Sequence, residues 1–324
     1  MPQRFGPVEE TRIRPSATTS TAQFESPAVH IGHLTKRYGA TVAVDDLSFS
    51  IRRGTIAGFL GPNGAGKTTT FRMLVGLAAP TSGAAQVLGQ AYGTLRNPIL
   101  RVGAMLEVSG YHPARSARNH LLVLARTADI PEGRVDELLG LVELDQAADR
   151  AVGGFSSGMR QRLGLAASLL GDPELLLLDE PANGLDPKGI RWLRQFLRNL
   201  AHEQGKTVLV SSHVLAEVAQ MVDEVVIISR GRLITQGPVD TVVAHMGRTV
   251  AIRSPDATRL ADLLTRQGAT VTRHNADRLL VSGVDIEEVG RLAAVNNLVL
   301  YELREQGLSL EETFLALTEP AATP

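Results

Sequence analysis

The sequence predicts an α/β fold: a parallel sheet with an inserted helical subdomain, followed by a small α+β domain. Three observations carry this. From Val29 onward, short apolar runs alternate with helical patterns. The run "PELLLLDEP" (173–181) is continuously apolar between two prolines, as a strand buried on both faces of a parallel sheet reads. The segment "GPNGAGKTTT" (61–70) lies between a strand-like run and a helical one, where a phosphate-gripping loop belongs.

Bulk properties narrow the classes. A chain of 324 residues is long enough for one large domain and a small one. The net charge of -1 gives no global positive field, so nucleic acid is not expected as a partner. Without cysteines there is neither a disulfide scaffold nor a thiolate metal site. No run reaches the length of about 18 apolar residues that a membrane-spanning helix needs.

The elements follow in order. Residues 1 to about 27 are rich in Pro, Ser and Thr and lack a signal-peptide core, so a disordered tail is expected. "TIAGFL" (55–60) is a strand that runs into the glycine loop. "TTTFRMLVGL" is helical, with Phe71, Leu74 and Val75 at i, i+3, i+4 spacing. Residues 112–170 read as helices throughout, which predicts a helical subdomain over about 108–170. "KTVLVSSH" (206–213) and "EVVIISRG" (224–231) repeat the buried-strand pattern.

The composition shifts near residue 245. Short strands and two helices then follow in the order βαββαβ, a split-βαβ pattern. A last helix is expected from Ser309, with Glu312 three residues on as a capping box. The expected division is a large domain over 28–247, an accessory domain over 248–318 and a short tail at 319–324.

"GPNGAGKT" fits G-x-x-x-x-G-K-[ST]. Gly61, Gly64 and Gly66 let the backbone curl, so that the N–H groups of the loop, which also holds Pro62, Asn63 and Ala65, point inward. The following helix adds its positive N-terminal end. Lys67 can reach β- and γ-phosphates, and the Thr68 hydroxyl suits Mg²⁺. Thr69 can bond the α-phosphate. Asp179 ends the "LLLLDEP" strand at the sheet edge where ligands bind. It would hold Mg²⁺ through water, and Glu180 could accept a proton from an attacking water.

Taken singly, other residues have plainer readings. Tyr38 in "TKRYG" reads as a half-buried strand aromatic, Ser156 as a helix N-cap and His213 as a turn residue. His213 and Glu217 stand at i, i+4, but one pair lacks the ligand count for zinc. The order of motifs changes the weighting. A phosphate loop, "FSSGMRQRLGLAASLL" (155–170), "LLLLDEP", "NGLDP" and the strand-ending "SSH" (211–213) together resemble the ATP-binding cassette family over about residues 29–240.

That resemblance implies a P-loop NTPase fold of the ABC nucleotide-binding type, acting as a head-to-tail dimer with ATP and Mg²⁺ between subunits. It implies that Tyr38 stacks on adenine and that Ser156 and Gly158 contact the γ-phosphate of the partner's ATP. Asp186 would lie at the dimer seam, and His213 would bond the γ-phosphate. Two places depart from the family pattern. The signature reads Phe155-Ser156-Ser157-Gly158-Met159 rather than Leu-Ser-Gly-Gly-Gln, and Glu107 stands where a Mg²⁺-bonding Gln is usual, and can itself ligate Mg²⁺ or its water while adding charge. Both are similar to the subgroup serving drug, antibiotic or sodium exporters. The implied partners are a separate polytopic membrane permease, gripped by 108–120, and a second copy, at the cytoplasmic face of the membrane. A single cassette speaks against a translation factor, and missing heptads speak against a chromosome-organising ATPase. A nucleotide-dependent interaction protein that hydrolyses poorly stays open.

Overall fold

The computed structural model describes residues 26–106, 110–214, 218–246, 249–273 and 275–306. The expected tails up to residue 25 and over 319–324, Glu107, positions 108 and 109 of the permease-gripping segment, Glu217 and the helix from Ser309 lie outside them.

The described chain begins with an antiparallel hairpin of β1 (Val29–Tyr38) and β2 (Thr41–Ile51). β3 (Ile56–Leu60), buried at every residue, delivers the glycine loop to α1 (Lys67–Leu74). β4 (Ser82–Val87) returns to β1 and completes a three-stranded antiparallel sheet, β2-β1-β4. The sequence reading did not anticipate this sheet. In β2 the buried residues Val44, Leu47, Phe49 and Ile51 are separated by polar ones. Such one-sided alternation lacks the continuous apolar signature of the central strands.

β5 (Val102–Met105) is followed by three helices: α2 (Ala117–Thr127), α3 (Gly133–Leu141) and α4 (Ser157–Ser168). Leu121, Leu138 and Leu163 point inward from them into one shared cluster. Then come β6 (Leu175–Leu178), α5 (Pro187–Arg198), β7 (Thr207–Ser212), β8 (Glu224–Ser229), β9 (Arg232–Pro238) and α6 (Val239–Met246). The second sheet runs β5-β6-β7-β3-β8-β9. Its first five strands are parallel, and β9 lies antiparallel to β8.

Alternation within the buried strands divides the core. Leu176 and Leu178 of β6 join the cluster of the inserted helices. Leu175 and Leu177 join the cluster of the antiparallel sheet, where Phe59 and Phe71 stack with centroids 5.8 Å apart. Each large side chain so buried contributes roughly 1.5–3 kcal/mol. The parallel strands are thereby clamped from both sides, and their C-terminal ends are held in fixed register.

The remaining described residues form β10 (Thr249–Arg253), α7 (Ala257–Arg266), β11 (Thr270–Arg273), β12 (Arg278–Ser282), α8 (Ile286–Val295) and β13 (Glu302–Gln306). They make an antiparallel sheet, β11-β12-β10-β13, in which β12 splits β10 from β11. Val250, Ile252, Leu260, Leu264, Val281 and Val289 form a core of their own.

Candidate functional site

Three parallel strand ends build the site. β3 leads into the glycine loop, β6 ends on Asp179 and Glu180, and β7 ends on Ser211, Ser212 and His213. Gly66 stands at φ 106, and a Cβ there would meet the Ala43 carbonyl oxygen at 2.6 Å. Only glycine makes that turn without strain. The next residue begins α1, whose first turn carries no acidic side chain, so its free amides favour an anion.

Lys67 is nearly buried, at 6% exposure. Its Nζ donates to the Gly61 carbonyl at 2.6 Å and the Pro62 carbonyl at 3.3 Å, and lies 3.3 Å from Glu180 Oε1. The Thr68 hydroxyl donates to Asp179 Oδ2 at 2.6 Å. Thr68 and Asp179, 111 residues apart in the chain, are thus joined directly.

Asp179 and Glu180 are neighbours in sequence but have different partners. Asp179 is buried and accepts from the Ser211 hydroxyl as well as from Thr68. Glu180 sits at φ 49, a left-handed conformation that costs a residue with a Cβ about 1–3 kcal/mol. Surrounding hydrogen bonds hold it there. Its amide donates to Ser211 Oγ at 2.9 Å, and its carbonyl accepts from the Asn183 amide and from Gln161 Nε2, both at 3.1 Å. The turn directs its carboxylate toward Lys67 and toward His213, whose Nδ1 is 2.9 Å from Oε2.

A cleft of about 480 Å³ gathers Tyr38, Asn63, Gly64, Ala65, Gly66, Lys67, Thr68, Thr69, Glu180, Asn183 and His213. Tyr38 is half exposed at its edge, with Lys36 Nζ 4.9 Å from the ring centre. Ser156, Gly158 and Asp186 are not among its lining residues. Ser156 N-caps α4, accepting from the Met159 amide at 3.2 Å. Asp186 N-caps α5, accepting from the Gly189 amide at 2.6 Å. Gly158 lies in the first turn of α4, near Leu185. A second cavity of about 640 Å³ reaches from Leu106 and Tyr111 to Gln161, Asp179 and Glu180. Burial pushes the Tyr111 hydroxyl up to about 12, with Arg160 acting the other way, so it stays protonated and donates to the Arg160 carbonyl.

Sequence reasoning missed Ser211, Asn183 and Gln161. Ser211 stood within the quoted "SSH" run, and its place on the strand beside β6 was the available signal. Gln161 gave none, because a polar residue in mid-helix reads as solvent-facing.

Residues 44–183 match the family described as "ABC transporter". The chain is 47% identical over 209 residues to the bacitracin transport ATP-binding protein BcrA of Bacillus licheniformis, covering 64% of this chain and 68% of that protein. It is 35% identical over 300 residues to the Nod factor export ATP-binding protein I of Rhizobium leguminosarum bv. viciae, covering 90% of this chain and 94% of that protein. The chain belongs to the ABC transporter ATP-binding family. CbiO1 of Clostridium perfringens, part of the ABC transporter complex CbiONQ, shares the fold of this ABC protein. Its TM-score is 0.61 at 27% identity, over 75% of this chain and 98% of that one. As a family member the chain is an ATPase and binds ATP. Residues 248–311 match a "Domain of unknown function (DUF8746)". Among the described residues of the ABC chain no helix is long and apolar enough to cross a membrane.

Proposed function

We propose that this chain is the ATP-hydrolysing motor of an exporter. In this reading two copies sandwich two nucleotides, docked on a separate polytopic permease at the cytoplasmic face of the membrane. The observation that carries it is the divergence of Asp179 and Glu180: one joined to Thr68, the other turned to Lys67 and His213. That arrangement separates a metal-side carboxylate from a water-side one. The export direction is suggested by the bacitracin transport and Nod factor export relatives.

In this reading the N–H groups of Asn63, Gly64 and Gly66 and the Lys67 ammonium bind the phosphates, Thr69 bonds the α-phosphate and Tyr38 stacks on the base. Thr68 and Asp179 offer hard oxygen donors that fit Mg²⁺, which takes few protein ligands. The metal would neutralise developing phosphate charge. Glu180 takes the proton of the attacking water, and His213 orients the carboxylate and bonds the γ-phosphate. Ser156 and Gly158 engage the partner's nucleotide at the N-terminus of α4, and Asp186 lies at the seam. Residues 108–120 grip the permease, and 248–318 serve as an accessory domain.

The test is copurification from membranes with a tagged chain, followed by ATPase assay. A polytopic protein that comes down, with turnover abolished by Glu180→Gln, is the expected result. A chain that stays alone and slow, with Glu180→Gln turning over as fast as the unmodified protein, would instead mark a nucleotide-dependent interaction protein.

A further inference from the structure

One face of α4 is bonded to the loop between β6 and α5 at two points. Ser157 and Gln161 stand at i, i+4, so their side chains share a face. The Ser157 hydroxyl donates to the Gly184 carbonyl at 2.8 Å, and Gln161 Nε2 donates to the Glu180 carbonyl at 3.1 Å. These two carbonyls flank a tight turn. Within it the Asn183 amide donates to the Glu180 carbonyl, and Asp186 caps α5 just beyond. The approach at the Ser157 end is close: Gly184 lies at φ 75, and a Cβ there would stand 3.0 Å from that of Ser157.

The two bonds differ in setting. Gln161 is 3% exposed, whereas Ser157 is exposed. Neither touches the cleft of the phosphate loop. Ser157 stands where the family's usual signature has a glycine, which has no side chain to make this bond. The helix they belong to is capped by Ser156 and is a single stiff rod of 12 residues. A shift of its N-terminal end therefore moves both donors, and with them the backbone of Glu180.

We propose that Ser157 and Gln161 are positioning residues that couple the Ser156 end of α4 to the orientation of Glu180. This rests on the reading that Ser156 engages the partner's nucleotide and that Glu180 activates water. Engagement of α4 by one nucleotide would then set the carboxylate facing the other, and tie hydrolysis to pairing.

The experiment uses the full chain with its copurified permease and compares Gln161→Met, Gln161→Glu, Ser157→Ala and Glu180→Gln. The expected result for Gln161→Met is a fall in kcat of about ten-fold, the loss of one buried hydrogen bond. KM for ATP and ATP-driven pairing should hold, since uniform binding is untouched. Ser157→Ala, at the exposed end, should lower kcat less, again with KM held. Gln161→Glu supplies the readout that a packing role would not move. Its carboxyl donates to the Glu180 carbonyl only when protonated, so its kcat relative to the unmodified protein should rise as pH falls from about 8 to about 6.

Unchanged kcat in both Gln161 variants, while Glu180→Gln is inactive, would overturn the coupling and leave the motor reading standing. A pH-independent ratio for Gln161→Glu, with kcat and melting temperature falling together, would also overturn it in favour of simple packing. If Glu180→Gln itself turns over normally, the motor reading fails and takes the coupling with it. Should Gln161→Met not fold, Ser157→Ala decides: unchanged kcat at ATP saturation overturns the coupling.

Discussion

His213 Nδ1 and Glu180 Oε2 are 2.9 Å apart, although 33 residues separate them in the chain. The contact fixes one carboxylate oxygen while Lys67 faces the other at 3.3 Å. His213→Ala should therefore leave Glu180 in place but less well oriented. We expect kcat to fall by roughly 10²-fold, within the range for a misplaced acid–base group. Steady-state ATPase assays check it, and an equal loss in nucleotide binding would contradict the assignment.

Gly66→Ala should abolish the phosphate grip. Its φ of 106 and the 2.6 Å approach of a Cβ to the Ala43 carbonyl leave backbone movement as the only relief. The strain costs about 1–3 kcal/mol. Calorimetric ATP titration should show binding lost or weakened by at least ten-fold, with the fold retained by circular dichroism.

Ser156→Ala removes the cap of α4, a bond of 3.2 Å to the Met159 amide. The stability cost should be about 1 kcal/mol in denaturant unfolding. Light scattering with ATP in a Glu180→Gln background should show weaker pairing. A stability loss with pairing unchanged would assign Ser156 to capping alone.

Acid should loosen the inserted helices through His120. Burial, and then the charge of Arg115, lowers its pKa below the ordinary 6.5. It packs edge-on against Tyr111 at 4.8 Å, and its Nδ1 is buried without a hydrogen-bond partner among the described residues. A lowered folded-state pKa means its stability contribution is full above 6.5 and is lost as pH falls through the folded value. His120→Phe keeps the ring contact but cannot titrate. Melting curves of the two proteins between about pH 5 and 7.5 should diverge in slope, the unmodified protein losing more on acidification.

The phosphate loop, the Asp-Glu strand and the parallel α/β class were legible in the sequence, because each rests on local chemistry. Glycines at fixed spacing, a lysine at a helix start and an unbroken apolar run between prolines need no distant partner to be read. The antiparallel β2-β1-β4 sheet was not legible. Its strands bury one face only, and their pairing brings Val87 to Val29 across the whole glycine loop and α1.

What the tertiary structure alone decided is who meets whom. The sequence placed Asp179 and Glu180 side by side, but the left-handed turn at Glu180 sends them to different partners. Ser211 spans them because β7 lies parallel to β6 in register, Leu178 opposite Val210. Gln161 and Ser157 acquire a role because α4 packs with that face on the 180–184 turn. Local spacing determines which chemistry a chain carries. Strand register and helix packing, which depend on the buried surface of the whole domain, determine which of those groups face each other.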